Sequence, residues 1–340
     1  MELFGKNLDR EVAVVAEIGV NHEGAPGAAI DLLRLAAEAG ADAVKFQTYS
    51  PSRYASASDP ARLERVTKFA LDEATHGKLA EESARLNVAV FSTPLTEDVV
   101  PMLDNLFPAF KIASGDLTFE PVIRATAKTG KPVILSTGLG TMDEIETAVH
   151  WFRQEVGEDN LRDRLILMHC VSAYPTPIEE ANLRSIPYLA KKTGLRIGYS
   201  NHVIGLDASM VAVALGACII EVHFTDQKTG REFRDHELSV EPDELRNLIE
   251  TLPLVRASLG ENGKKPMPCE LPNKLATRKG IVAAREIAGN TELRRQDLMY
   301  ARPASEFSAT IIKDLIGKHT ITKISKGELI QRNNIRENGR

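Results

Sequence analysis

The amino-acid sequence predicts an α/β fold, a closed (β/α)8 barrel of the TIM type followed by a small β-rich domain. Short apolar or β-branched runs alternate with segments of helical period from residue 12 onward, which is the pattern of repeated βαβ units. There are eight such runs, the number that closes a barrel of this kind. The length of 340 residues suits a barrel of about 250 residues with a second, smaller domain.

The predicted strands are rich in valine, isoleucine and leucine, and turn-forming or polar residues separate them. In chain order they cover residues 12–20, 41–47, 88–93, 109–114, 132–137, 164–170, 195–200 and 218–224. Amphipathic segments between the strands should form the outer ring of helices. Residues 28–40 end at Gly40, and residues 143–156 follow a capping Thr141 or Asp143.

Three further segments divide the chain. Residues 48–66 and 171–186, after the second and sixth strands, have the composition of inserted loops on the face that usually carries specificity. Residues 262–277 contain three prolines and no apolar periodicity, so we interpret them as a linker between a barrel over 1–261 and a β-rich domain over 278–340. That domain has strand candidates at 280–287, 319–325 and 328–333.

Composition excludes several classes of protein. A formal net charge of -5 and a pI near 6.0 give no overall attraction to nucleic acid. Three cysteines without CxxC spacing, Cys170, Cys218 and Cys269, argue against a disulfide framework or a thiolate zinc site. The first residues are charged, and no stretch approaches the ~20 apolar residues of a membrane span. We therefore expect a soluble, cytoplasmic protein.

The carboxyl ends of the eight predicted strands carry a composite set of polar side chains. In a parallel barrel these ends face one pocket, so residues far apart in sequence should meet there. The set combines carboxylates, lysines, hydroxyls and imidazoles: Glu17, Lys45, Gln47, Thr93, Lys111, Ser114, Asp116, Ser136, Ser200, His202 and His223. Such a set is typical of an enzyme that acts on an anionic substrate.

Lys45 and Lys111 each stand inside an otherwise apolar run. A single lysine at a strand end would more simply be a solvated cap. Two lysines that point into a barrel are costly without anionic partners, which favours a bound phosphate or carboxylate. The "SG" at 114–115 and "STG" at 136–138 add hydroxyls and backbone N–H groups that suit phosphate oxygens.

His202 and His223 end two successive predicted strands, where a barrel would bring them side by side. The simpler interpretation is two unrelated, hydrogen-bonded histidines. Glu17, Glu221 and Asp235 are available nearby, however, and two imidazoles with water or substrate oxygens suit Mn²⁺, Mg²⁺ or a similar divalent ion. Cys170 lacks an evident activating partner, so we expect a buried core thiol and not a nucleophile.

The motifs as an ordered set resemble the sialic acid synthase family. They are "AEIGVNHEG", "DAVKFQT", "FSTP", "FKIASGD", "LSTGL", "HCVSAYPTP", "GYSNH" and "EVHFT". The resemblance covers about residues 10–333, and "RKGIVAAREI" with "YARP" is similar to the antifreeze-like SAF domain that follows the barrel in that family.

The resemblance implies a metal-dependent condensation of phosphoenolpyruvate with the open-chain aldehyde of an N-acylated hexosamine, with release of phosphate. It implies phosphoenolpyruvate-binding roles for Lys45, Thr93, Lys111, Ser114, Ser136 and Ser200, and metal-binding roles for His202 and His223. Sugar-facing roles are implied for Gln47, Tyr174, Asp235, Asp116 and, through a domain-swapped homodimer, Arg302 of the other chain. Glu17 and Asp116 are our candidates for acid–base catalysis.

Two other functions compete with this one. A Schiff-base aldolase would use Lys45 or Lys111 as the nucleophile on pyruvate. A non-catalytic sugar-binding protein is the second alternative, because barrels do not dictate function. The presence of Glu17, both lysines and both histidines argues against a pure binding role.

Overall fold

A computed structural model describes residues 1–231, 233, 235–304 and 306–336 of the chain. The chain forms two compact units, Met1–Gly260 and Glu261–Arg340. No helix within the described ranges is both long enough and apolar enough to cross a membrane.

The first unit is built on a closed barrel of eight parallel strands, and a short antiparallel hairpin of β1 (Glu2–Leu3) and β2 (Lys6–Asn7) precedes it. The barrel strands are β3 (Ala13–Gly19), β4 (Ala43–Thr48), β5 (Ala89–Pro94), β6 (Phe110–Ile112), β7 (Val133–Ser136), β8 (Leu165–His169), β9 (Arg196–Asn201) and β10 (Ile219–His223). Each strand pairs with the next in sequence, and β10 pairs with β3 to close the ring. The predicted fold class is therefore confirmed, with all eight strands in the expected order.

Helices cover the outside of the barrel and connect its strands. The α-helices of the first unit are α1 (Pro26–Glu38), α2 (Pro51–Tyr54), α3 (Pro60–Phe69), α4 (Glu73–Leu86), α5 (Val100–Leu106), α6 (Glu120–Lys128), α7 (Met142–Val156), α8 (Glu158–Arg164), α9 (Ser185–Thr193), α10 (Asp207–Ala214), α11 (Asp235–Leu238) and α12 (Pro242–Ser258). Short 3-10 turns cover Glu97–Val99, Ser114–Asp116 and Ile178–Glu180.

Local sequence signals explain where the helices begin. Thr141 and Glu144 form a reciprocal capping box at the start of α7, as the sequence predicted for Thr141. The prediction of a loop over 48–66 was wrong, because α2 and α3 lie there. Asp59 caps α3 by accepting a hydrogen bond from the backbone N–H of Arg62 at 3.1 Å, and Pro60 occupies the first helical position.

One continuous apolar core lies between the strands and the helices and fixes the barrel. The side chains of Phe46 of β4 and Phe110 of β6 are fully buried in this layer. Phe91 of β5 is fully buried on the inner side of the barrel, where its ring lies 4.9 Å from the Phe4 ring between centroids. Burial of an aromatic side chain contributes about 1.5–3 kcal/mol relative to exposure, so this layer holds the strands in a defined register. A rigid ring of strands in turn fixes the positions of the side chains at its carboxyl ends.

The second unit has its own small core and two two-stranded sheets. Its strands are β11 (Gly280–Ala283), β12 (Leu298–Ala301), β13 (His319–Thr320) and β14 (Ile335–Arg336), and its helices are α13 (Lys274–Thr277) and α14 (Ile312–Leu315). Short 3-10 turns cover Pro268–Asn273, Arg295–Asp297, Ala309–Ile311 and Arg332–Asn334. Of the predicted strands, 280–287 and 319–325 contain β11 and β13, whereas 328–333 carries only an isolated bridge between Leu329 and Val282.

Candidate active site

A cavity of about 1230 Å³ opens at the carboxyl ends of the barrel strands. Thirteen of the fourteen side chains predicted from the sequence line it: Glu17, Lys45, Gln47, Thr93, Lys111, Ser114, Asp116, Ser136, Tyr174, Ser200, His202, His223 and Asp235. The fourteenth, Arg302, belongs to the second unit, and its role at the site stays a prediction. The parallel barrel thus brings together residues that lie more than 200 positions apart in sequence.

Two lysines and two glutamates form the floor of this cavity, and all four side chains are buried. Lys45 Nζ lies 2.7 Å from Glu17 Oε2 and 3.7 Å from Glu221 Oε1. Lys111 Nζ lies 3.5 Å from the same Glu221 oxygen. The lysines therefore have counter-charges within the protein, so the sequence argument that their burial requires a bound anion does not hold as stated.

The charges and burial of the floor give its two carboxyl groups different pKa values. Burial would raise the pKa of Glu221, but Lys111 and Lys45 outweigh it and lower that pKa to about 2. Burial raises the pKa of Glu17 above its usual value, and repulsion from Glu221 adds to the rise. Burial lowers the pKa of Lys111. Glu221 is thus the charged carboxylate that both lysines share, whereas burial raises the pKa of Glu17 even though the charge of Lys45 opposes the rise.

Hydroxyl and amide groups complete the floor. Lys45 Nζ donates to Thr93 Oγ1 at 3.1 Å, and the Ser200 hydroxyl donates to Glu221 Oε1 at 3.1 Å. Gln47 Nε2 donates to Glu17 Oε1 at 3.1 Å, which fixes the orientation of that carboxyl group. Gln47, predicted to face the sugar, therefore lies within reach of the proposed acid–base group.

Hydroxyl groups pack closely around Gly138, which follows β7, and form part of the cavity wall. Its backbone N–H donates to Ser114 Oγ at 3.1 Å, and Ser114 Oγ lies 3.0 Å from Cys170 Sγ. A Cβ atom at residue 138 would lie 2.5 Å from Ser172 Oγ and 2.7 Å from Ser114 Oγ. An alanine here would force Ser172, Ser114 or Cys170 to shift, because the glycine backbone approaches these side chains closely. Cys170 is buried, as expected, although its side chain also lines the cavity.

His202 and His223 lie side by side at the ends of β9 and β10, with ring centroids 5.5 Å apart. His202 Nδ1 lies 2.7 Å from the Val171 carbonyl oxygen, so Nδ1–H donates there and Nε2 keeps its lone pair. His223 Nδ1 is buried and has no hydrogen-bond partner among the described residues. Burial lowers the pKa of His202 to about 4, and it lowers the pKa of His223 as well.

This donor set fits a divalent metal ion held by two neutral imidazoles. Each neutral ring has one nitrogen lone pair, and Nδ1 of His223 has no hydrogen-bond partner among the described residues. In the described part of the chain, no three His, Cys, Asp or Glu side chains are grouped as a metal cage. Glu17 and Glu221, which the sequence offered as further ligands, are paired with lysines instead.

Asp116 and Tyr174 lie on the cavity wall. Burial raises the pKa of Asp116 to about 6, and its Oδ2 is buried without a partner among the described residues. A carboxyl group with this pKa can take up or release a proton near neutral pH. The Tyr174 ring packs 4.2 Å from the His202 ring and 5.9 Å from the His223 ring, measured between centroids. Tyr174 thereby limits the space in front of both imidazoles.

Several side chains of the site were not predicted from the sequence. From the sequence, Glu221 was expected only as a residue near the predicted metal ion, although it is the carboxylate that both lysines share. Its position two residues before His223, on the same side of the strand, was the available signal. The aromatic and cationic side chains of α3 were missed because residues 48–66 were interpreted as a loop.

Comparison with known proteins agrees with this geometry. A sequence model of the NeuB family matches residues 32–264, and a model of the SAF domain matches residues 278–336. The chain is 34% identical to the N,N'-diacetyllegionaminic acid synthase of Campylobacter jejuni, over 95% of this chain and 99% of the relative. It is 30% identical to the N-acetylneuraminate-9-phosphate synthase of Mus musculus, over 95% of this chain and 92% of that one.

A solved structure supports the same relationship. The N-acetylneuraminic acid synthetase of Leptospira borgpetersenii, crystallised with citrate, superimposes with a TM-score of 0.72 and 34% identity, over 77% of this chain and 90% of that one. The predicted resemblance is confirmed in both units. The protein is a member of the NeuB family, with a SAF domain following its barrel.

Proposed function

We propose that the protein condenses phosphoenolpyruvate with the open-chain form of an N-acylated hexosamine, either N-acetylmannosamine or a diacetamido-hexose, to give a nonulosonic acid and phosphate. The observation that carries this proposal is the floor of the cavity, where two lysines, two glutamates and two histidines meet among hydroxyl groups. Family membership and the names of the relatives, which are synthases of legionaminic and neuraminic acids, support it.

Phosphoenolpyruvate would bind at the floor. Lys45 and Lys111 supply charge for its carboxylate and phosphate, and Thr93, Ser114, Ser136 and Ser200 supply hydroxyls that line the same cavity. The backbone N–H of Gly138 lies within this wall. Rigid strand ends hold these groups before the substrate arrives, so little ordering is needed when it binds.

His202 and His223 would hold a divalent cation, Mn²⁺ or Mg²⁺. When bound, such an ion polarises a carbonyl oxygen as a Lewis acid, which would activate the aldehyde of the sugar. Two groups of this protein would position the imidazoles: the backbone carbonyl of Val171, which orients His202, and the Tyr174 ring, which packs against both rings.

The bonds and protons of the reaction then balance as follows. Carbon three of phosphoenolpyruvate attacks the aldehyde carbon, positive charge develops at carbon two, and water adds there. Glu17, whose pKa is raised by burial, takes one proton from this water and returns it to the former aldehyde oxygen. Asp116, ionised above a pH of about 6, takes the proton of the new hydroxyl and passes it to phosphate as the C–O bond breaks.

The remaining assignments concern the sugar and the assembly. Gln47, Tyr174 and Asp235 line the cavity and would contact the sugar. The resemblance of "YARP" supports a homodimer in which Arg302 of one chain reaches the site of the other. Mixed dimers of an Arg302→Ala chain and a Lys45→Ala chain test this arrangement. We expect about a quarter to a half of the wild-type activity to be recovered, and no recovery would contradict the homodimer.

We also propose that the enzyme works in the cytoplasm.

The direct test is an assay of phosphate release from phosphoenolpyruvate with Mn²⁺ and a panel of 2-acetamido and 2,4-diacetamido hexoses. We expect release that depends on the sugar, stops on addition of EDTA, and is lost in Lys111→Ala and His223→Ala. Lys78→Ala, on the exposed face of α4, is the charge-matched control and should leave release unchanged. Sugar-independent release, or none with any member of the panel, would overturn the proposal.

One observation favours a second candidate, a Schiff-base aldolase. Burial lowers the pKa of Lys111, as a nucleophilic lysine requires. Lys111 nevertheless lies 3.5 Å from Glu221, whose charge favours the protonated amine. Borohydride reduction in the presence of pyruvate separates the two functions. Covalent labelling of Lys111 would support the aldolase, and EDTA-sensitive turnover without labelling would support the synthase.

A further inference from the structure

Helix α3 presents two arginines at the mouth of the cavity, opposite the floor. Arg62, Arg65, Val66 and Phe69 are spaced at three, four and seven residues, which is one face of a helix, and all four line the cavity. Val66 and Phe69 are buried, whereas both arginines are exposed. The apolar pair therefore anchors this face of α3, and the arginines extend from it into the opening.

Neither the Arg62 nor the Arg65 guanidinium has an ion-pair partner within the described ranges, whereas that of Arg53 does. Arg53 also lines the mouth, but it is paired with Glu97 and, at 3.5 Å, with Asp98. Arg62 lies over the Tyr54 ring, with Cζ 5.3 Å from its centroid. Burial raises the pKa of Tyr49 to about 12, and the charge of Arg65 partly opposes that rise.

Two unpaired cations in this position are unfavourable for the helix itself. Arg62 stands in the first turn of α3, where the helix dipole favours anions, and that turn contains no acidic residue. Asp59, the carboxylate that also lines the mouth there, already accepts the backbone N–H of Arg62 as the helix cap. Like charges three residues apart add repulsion. A bound anion would remove both penalties.

The segment that carries the arginines is fixed, as a binding surface requires. The backbone N–H of Ser50 donates to Thr96 Oγ1 at 3.2 Å, and the Tyr49 and Tyr54 rings pack 4.7 Å apart. Phe69 packs edge-on against Phe233 from the other side of the mouth, with centroids 5.4 Å apart. Arginine recognises phosphate through two parallel hydrogen bonds when its position is fixed in this way.

We propose that Arg62 and Arg65 form a second phosphate-binding subsite at the mouth, separate from the floor and specific for a phosphate monoester. This inference rests on the proposed function. The phosphate that the subsite binds would belong to one of two molecules. It would be the phosphate of phosphoenolpyruvate as it enters, or a phosphate on the sugar carbon farthest from the reacting aldehyde. The chemistry recognised is the same in both cases.

The test compares Arg62→Ala/Arg65→Ala, Arg62→Lys/Arg65→Lys and Lys78→Ala with the wild type. For each protein, kcat/KM is measured for phosphoenolpyruvate, for a 2-acetamido hexose and for its 6-phosphate, at low and high salt. Loss of both arginines should lower kcat/KM for the phosphate ester that uses the subsite by about 10-fold or more. The double lysine variant should recover part of that loss, since it keeps the charge but not the bidentate geometry.

The pattern of loss identifies the source of the phosphate. A loss confined to the sugar phosphate supports recognition of a phosphorylated sugar. A salt-sensitive loss confined to phosphoenolpyruvate supports capture of that substrate at the mouth. Equal losses for all three substrates, or losses no larger than in Lys78→Ala, would overturn the subsite while the synthase function stands. Wild-type protein that turns over neither of these sugars nor any 2,4-diacetamido hexose would overturn the proposed function and the subsite together.

Discussion

Replacement of Glu221 by glutamine removes one negative charge from the buried floor while it keeps the size of the side chain. An amide oxygen can still accept the hydrogen bond from the Ser200 hydroxyl. Lys45, however, would keep Glu17 as its carboxylate partner, whereas Lys111 would lose the carboxylate that lies 3.5 Å from its Nζ. We therefore expect Glu221→Gln to destabilise the barrel and to increase its dependence on an anionic ligand.

Two considerations give the size of this effect. A pKa of about 2 in place of the ordinary 4.5 corresponds to about 3 kcal/mol of interaction favouring the charged carboxylate. Loss of one partner from a buried ion pair typically costs about 3–5 kcal/mol. We expect the free energy of unfolding to fall by about 3 kcal/mol. Glu17→Gln is the matched control and should cost less, because burial already raises the pKa of Glu17.

Urea denaturation followed by the fluorescence of Trp151 measures this loss. Trp151 is the sole tryptophan of the sequence and packs against the core of the barrel, so it reports on that unit. A ligand stabilises a protein by an amount that grows with its concentration relative to Kd, about 2.7 kcal/mol at 100 times Kd. At one fixed phosphoenolpyruvate concentration, the gain should be larger for Glu221→Gln than for the wild type, because the variant should bind this anion more tightly. Equal stability of the two proteins, or equal stabilisation by the ligand, would refute the reasoning.

Three further predictions concern single groups of the site. Asp116→Asn should abolish the rise of kcat/KM through a pH of about 6, and a retained acid limb would contradict this role. The folded wild-type protein holds the Asp116 proton more tightly than the unfolded chain, so its stability falls as the pH rises from about 4 to about 6. This loss of stability should be absent from Asp116→Asn. Gly138→Ala should raise KM for phosphoenolpyruvate and lower stability by about 1–3 kcal/mol, since its Cβ would lie 2.5 Å from Ser172 Oγ; wild-type kinetics and melting would contradict the close packing. His202→Ala and His223→Ala should each weaken Mn²⁺ binding measured by calorimetry by at least about 100-fold, and unchanged affinity would contradict a two-imidazole site.

The sequence predicted the barrel well because its signals are local and repeated. Each strand has an apolar run of its own, and seven of the eight begin within one residue of the expected position. Strand β6 is shorter than predicted, since Ser114–Asp116 turns into a 3-10 helix that directs these side chains to the cavity wall. Alternation along β4 and β10 puts Lys45 with Gln47, and Glu221 with His223, on one side of each strand, and all four line the cavity.

The partnerships within the site could not be predicted in the same way. Strand-end position shows that side chains share a pocket but not which carboxylate pairs with which lysine, because pairing depends on distances across the barrel. Glu221 lies 110 residues from Lys111 in sequence, and no local pattern connects them. Helix α3 is a different case, since Asp59 and Pro60 are a start signal that was present in the sequence and was not used.

The central claim is that this floor binds an enol phosphate and directs loss of phosphate by C–O cleavage. The most direct test uses phosphoenolpyruvate with ¹⁸O in the bridging oxygen, an N-acylated hexosamine that supports turnover, and mass spectrometry of both products. We expect the label to leave with phosphate, because the C–O bond breaks and the bridging oxygen stays on phosphorus. Label retained in the sugar acid would show that the P–O bond breaks instead and would contradict the mechanism.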